Sequence, residues 1–102
     1  MIGLPESKRE SIAAVCRRHG VARLDAFGSA LREDFAATES DFDLLVEFKP
    51  MEPYARVEAY FGLIDDLREL LGHDIDLVMV GAVKNQHIAR DIERTKQHLY
   101  AA

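Results

Sequence analysis

The residues best equipped for chemistry are Gly28 and Ser29, in the segment Phe27-Gly28-Ser29, and the two acids of Ser40-Asp41-Phe42-Asp43-Leu44-Leu45-Val46-Glu47-Phe48. Eleven residues, 30 to 40, separate Ser29 from Asp41. A small turn of this kind lets the backbone approach a phosphate closely, and a serine hydroxyl adds a donor to the main-chain N–H groups. The two acids stand at i and i+2 in a strongly β-forming run, and alternate side chains of a strand share a face. Asp41 and Asp43 should therefore point the same way as a pair of hard oxygen ligands. Mg²⁺ is held in this manner, by one or two carboxylates together with substrate phosphates and waters. Turn and clamp together point to phosphoryl or nucleotidyl chemistry.

Each part has a plainer explanation when taken alone. Ser29 would serve equally as a helix N-cap, and Asp41 with Asp43 could be a solvated strand end. A third acid shifts the balance. His73-Asp74-Ile75-Asp76-Leu77-Val78-Met79-Val80 is another short apolar run with acids near its start. If the two runs are neighbouring strands, one of those acids comes close to the Asp41/Asp43 pair, and a two-metal site needs bridging carboxylates. Asp76 is the better choice than Asp74, because Leu77-Val78 follows it as Leu44-Leu45 follows Asp43. His73 reads as a loop residue, since a hard cation prefers oxygen to imidazole.

The elements that must position these groups can be read along the chain. Ser7-Lys8-Arg9-Glu10 has the form of a capping box, followed by Ile12, Val15, Cys16 and His19 at helical spacing and by Gly20 as a natural helix terminator. Val21 to Phe27 reads as a strand that delivers Gly28-Ser29 to a short helical turn around Ala30-Leu31-Arg32. Phe42 to Phe48 is the second strand, with Phe42, Leu44, Val46 and Phe48 on one face and Asp43, Leu45 and Glu47 on the other. Pro50 and Pro53 break it. Tyr54 to Leu71 fits a long amphipathic helix closed by Gly72, its apolar stripe assigned chiefly to the core. His73-Asp74 begins the third strand, which runs to Val80, and residues from about Asn85 to His98 form the last helix, with Leu99-Tyr100 packing behind it. Strands alternating with helices in this order imply an α/β (α+β) fold with a small sheet.

The chain has 102 residues, 48% hydrophobic and 30% charged, with a net charge of −5. That is one domain, 1–102, with no room for a separate acceptor-binding domain. Nucleic-acid binding relies on Lys and Arg neutralising phosphates, so the acidic balance disfavours direct binding of RNA or DNA. With Asp41, Asp43 and Asp76 set aside, 15 acids face 13 bases, so the candidate site supplies much of the excess. No apolar stretch approaches the roughly 18–20 residues of a membrane span. The single cysteine, Cys16, agrees with a reducing, cytoplasmic location and reads as a packed core thiol.

Gly28-Ser29, the pair Asp41-x-Asp43 and the later acid in Ile75-Asp76-Leu77-Val78 resemble the signature of the minimal nucleotidyltransferases. These are the smallest members of the DNA polymerase beta-like nucleotidyltransferase superfamily, and many are the antitoxin halves of HEPN/MNT pairs. The resemblance covers the chain from about Val21 onward. It departs in two places: the spacer before Asp41 is one residue longer than the commonest spacing, and Arg32 is followed by Glu33 where the family often has Gly. The resemblance implies a mixed sheet and transfer of AMP from ATP to a hydroxyl. Asp41, Asp43 and Asp76 would hold two Mg²⁺ ions, Gly28 and Ser29 would bind the nucleotide phosphates, and Arg32 would be a further phosphate contact. The implied acceptor is a HEPN-type toxin, neutralised by adenylylation. The alternatives are a partner neutralised by contact alone, or a small-molecule nucleotidyltransferase working as a homo-oligomer.

Overall fold

The computed structural model describes residues 6–27, 42–72, 74–82 and 86–102. Helix α1 (Glu6–Arg18) leads into strand β1 (Val21–Ala26), which is followed by β2 (Phe42–Phe48), α2 (Pro53–Leu71), β3 (Ile75–Met79), α3 (Gln86–Thr95) and β4 (Gln97–Ala101). The four strands form one mixed sheet in the order β3-β2-β1-β4. β1 runs antiparallel to both β2 and β4, whereas β2 and β3 are parallel. A parallel pair needs a crossover connection, and the nineteen residues of α2 supply it.

The alternation in β2 sorts its two faces. Leu44 and Val46 turn toward α1 and α2 and join Ile12, Cys16, Leu24, Leu63, Leu67, Leu77 and Leu99 in one core. Leu24, Leu44, Leu63 and Leu67 have no exposed surface at all. Each such leucine contributes about 2 kcal/mol of burial free energy. The opposite face carries Asp43, Leu45 and Glu47. Helix α2 starts with Pro53 at its first turn and stops where Gly72 adopts φ +72°, its N–H bonded to the Arg68 carbonyl at 2.9 Å. This left-handed position is the one that glycine reaches without a Cβ clash. Among the described residues no helix is long and apolar enough to cross a membrane.

Two expectations are corrected. The last helix does not reach His98. It ends at Thr95, and Gln97–Ala101 forms β4, paired with β1 through Leu24↔Tyr100, Asp25↔His98 and Ala26↔Gln97. The Lys-Gln-His-Leu stretch has adequate helix propensity, but pairing satisfies the outer edge of β1 and buries Leu99 in the core. Ser7 is likewise no N-cap. The helix has already formed at Glu6, and the Ser7 carbonyl accepts the Ser11 hydroxyl at 3.0 Å. Helix α1 is fixed to α2 instead by Lys8, whose ammonium donates to the Leu70 carbonyl at 2.6 Å.

Candidate active site

The centre of the site is set by strand register. In the parallel β2/β3 pair, Asp43 lies directly opposite Asp76, flanked by Phe42↔Ile75 and Leu44↔Leu77. Adjacent strands run about 4.8 Å apart and register partners share a face, so both carboxylates project from the face opposite α1 and α2. Asp43 is half-buried and Asp76 exposed. Such a pair places hard oxygen donors on one face of the sheet, which suits a divalent cation.

The same strand end meets the end of β1. The Phe27 N–H donates to the Asp43 carbonyl at 3.1 Å. This bond brings the last described residue before Gly28 beside the candidate metal ligand. Gly28, Ser29, Arg32 and Asp41 themselves lie outside the described residues, as does His73. Asp74 precedes β3 and is not in register with Asp43. Its side chain is 80% exposed and forms a surface ion pair with Arg68 Nε at 3.7 Å.

Asp25 is a feature that the sequence reading missed. It is only 1% exposed. Its register partner on β2 is Leu45, two residues beyond Asp43, so Asp25 occupies the same face of the sheet as the candidate site. Oδ1 accepts from His98 Nδ1 at 3.0 Å. Oδ2 makes no hydrogen bond and instead faces two cations, Arg23 Nε at 3.3 Å and Lys96 Nζ at 3.5 Å. A carboxylate this deeply buried is tolerated only when paired. Lys96 also binds Glu93 at 2.9 Å and holds that carboxyl below its ordinary range. The cluster ties the α3/β4 junction to the strand that leads into the Gly28-Ser29 turn. An acid inside the apolar run Leu24-Asp25-Ala26-Phe27 was the available signal.

Comparison with known proteins gives this geometry its family. A family model described as a nucleotidyltransferase domain matches residues 8–99. The chain belongs to that family. A Methanocaldococcus jannaschii protein, provisionally named a protein adenylyltransferase, is 40% identical to this nucleotidyltransferase over 76 residues, which make up 74% of each chain. Among solved structures, a provisionally named minimal nucleotidyltransferase superposes with a TM-score of 0.71 at 28% identity, covering 93% of this chain and 90% of its own. A chain from the complex of tri-AMPylated Shewanella oneidensis HEPN toxin with MNT antitoxin superposes with a TM-score of 0.60 at 20% identity. That match covers 95% of this chain and 72% of the other. At that identity the likeness is one of fold. The four-stranded mixed sheet and its flanking helices are thus those of a minimal nucleotidyltransferase, as the sequence resemblance implied.

Proposed function

We propose that this nucleotidyltransferase transfers AMP from ATP to a hydroxyl group of a protein acceptor, of the HEPN toxin class, and thereby acts as an antitoxin. The observation that carries the reading is the Asp43↔Asp76 pairing on one face of the sheet within a nucleotidyltransferase domain. The name of the M. jannaschii relative and the modified toxin in the S. oneidensis complex support a protein as acceptor. A cytoplasmic setting suits the free, buried thiol of Cys16.

Asp43 and Asp76, together with Asp41, are the residues that would hold two Mg²⁺ ions, and the all-oxygen donor set and shared face of the first two fit that ion. Bound there, Mg²⁺ would neutralise triphosphate charge and orient the α-phosphate. Gly28 and Ser29 would bind the phosphates through main-chain N–H groups and the serine hydroxyl, with Arg32 as an additional contact. The acceptor oxygen attacks the α-phosphorus, a new P–O bond forms, and the bond to the bridging oxygen breaks to release pyrophosphate. Asp76, more exposed than Asp43 and on the outer strand, would receive the acceptor hydroxyl proton. No covalent enzyme intermediate is required.

The test is to incubate the purified protein with Mg²⁺, labelled ATP and the product of the adjacent gene. The expected result is a mass increase of one or more adenylates on that protein, absent with Asp43→Asn. No adduct, combined with full inhibition of the toxin by Asp43→Asn, would replace the enzymatic reading with neutralisation by contact.

A further inference from the structure

On the side of the molecule where β3 forms the sheet edge, α2 and β3 enclose a groove of about 580 Å³. Its walls come from α2, including Val57 and Phe61, and its floor from Leu77, Val78 and Met79. Of the large apolar side chains left exposed among the described residues, Val57 and Phe61 line the groove and Tyr54 precedes them on the same helix. Tyr54 is 79% exposed, Phe61 61% and Val57 55%, with Val80 just beyond the end of β3. Concentrated exposure of this kind marks an interaction surface rather than scattered surface hydrophobics.

Three observations select the occupant. Tyr54, Val57 and Phe61 stand at i, i+3 and i+7 on α2, the spacing of a seam that packs against another helix. The edge of β3 is not free for strand addition at its centre, because the Tyr60 hydroxyl donates to the Leu77 carbonyl at 2.6 Å. Arg56 also lines the groove, its Nε is buried and makes no hydrogen bond, and no acid is among the described lining residues. A guanidinium in that position asks for a carboxylate. Symmetrical pairing of two such grooves would bring two Arg56 side chains together with no acid between them. That argues against a second copy of this chain.

We infer that this groove receives an amphipathic helix of the acceptor protein, its apolar residues against Tyr54, Val57 and Phe61 and a carboxylate on Arg56. The inference rests on the reading above that the acceptor is a protein, and adds where it docks. Leu77 and Met79 face α2 and the groove, whereas Asp76 and Val78 turn to the other face of β3, so the groove and the candidate site lie on either side of one edge strand. A helix seated there borders the edge strand that carries Asp76, so a partner docked in the groove can reach round that edge to the reacting groups, and their effective concentration rises.

The experiment measures binding of the purified product of the adjacent gene to the wild type and to Phe61→Glu, Val57→Asp and Arg56→Glu, with circular dichroism and thermal melts to verify folding. Phe61→Glu and Val57→Asp alter exposed positions, so at least one folded variant is expected. Each folded variant should lose about tenfold or more in partner affinity, as truncating a central anchor does. ATP binding, followed by the Mg·ATP-induced rise in Tm, should be unchanged. Restoration of Arg56→Glu binding by an acid-to-lysine change on one helix of the partner would support the pairing directly. Unchanged partner affinity with adenylate transfer intact would overturn the groove while leaving the proposed function standing. Loss of transfer in wild type itself, with no partner binding, would overturn both. Dissociation of a self-dimer by Phe61→Glu with partner binding intact would also overturn the inference.

Discussion

Asp43 and Asp76 stand opposite each other on parallel strands, although the whole of α2 separates them in the chain. Their carboxylates repel when no cation is present. A ligand that binds only the native state stabilises it by mass action, by about 2.7 kcal/mol at a hundredfold excess over Kd, or about 10 °C in a domain of this size. Mg²⁺ with ATP should raise the wild-type Tm on that scale, and Asp43→Asn should abolish the rise. An unchanged response in a thermal melt would remove Asp43 from the nucleotide site.

The two acids on β3 are expected to behave differently. Asp76→Asn should lower kcat for adenylate transfer while leaving ATP binding largely intact, because its place on the outer strand favours the acceptor side of the reaction. Asp74→Asn should stay within about twofold of wild type, since its ion pair with Arg68 is exposed. Steady-state kinetics on the proposed protein acceptor decide the matter. An inactive Asp74→Asn beside a normal Asp76→Asn would reverse the assignment.

Asp25 makes a larger demand on stability than on chemistry. Asp25→Ala leaves Lys96, itself only 15% exposed at its side chain, without its buried partner. Breaking a buried pair costs about 3–5 kcal/mol, and the lower end applies here because His98 and Arg23 reach water. Urea denaturation should show that loss. A change below about 0.5 kcal/mol would mean that the cluster is electrostatically neutral to the fold.

A pH effect arises at the other end of the molecule, between α1 and α2. His19 Nε2 lies 2.6 Å from Asp66 Oδ2, with Arg18 at 3.2 Å. The His19 ring rests on Gly62, where a Cβ would meet it at 2.7 Å. The hydrogen bond from His19, assisted by the charges of His19 and Arg18, lowers the Asp66 pKa. A carboxylate whose folded pKa lies below its unfolded value, about 3.9, contributes stability above that value and loses it as pH falls through the folded pKa. The stability gap between wild type and Asp66→Asn should therefore be full at pH 5 and above and should narrow below about pH 4. A gap that widened on acidification, measured by denaturant titration across this range, would contradict the sign.

Cys16 is fully buried in the core, and that burial pushes its thiol up to about 12. The thiolate is the reactive form, so a thiol reagent at pH 8 should label Cys16 only as fast as the protein opens. Added denaturant should accelerate labelling in step with unfolding. Rapid stoichiometric labelling of the native protein would show the core at α1 to be open.

Local patterns determined much of this protein. The period-two alternation of Phe42–Phe48 marked β2 with its exact ends and sorted Asp43 and Leu45 from Leu44 and Val46. The apolar stripe ending at Gly72 marked α2 to within one residue of its start. The Gly-Ser turn, the Asp-x-Asp pair and the acid before Leu77-Val78 carried the family, because turn chemistry and side-chain alternation act over a few residues and are legible in a short window. Strand pairing decided the rest. Gln97–Ala101 became β4 only because β1 offered it an edge, and local propensity had favoured more helix. Pairing in register, not spacing, put Asp76 rather than Asp74 beside Asp43, and joined Asp25 to Lys96 and His98 from the far end of the chain. The exposed half of the α2 stripe shows the same division: its periodicity was plain in the sequence, but core and interface residues repeat alike on a helix. Which of them met the sheet and which were left facing outward was decided by where the sheet ends, and β3 is that edge.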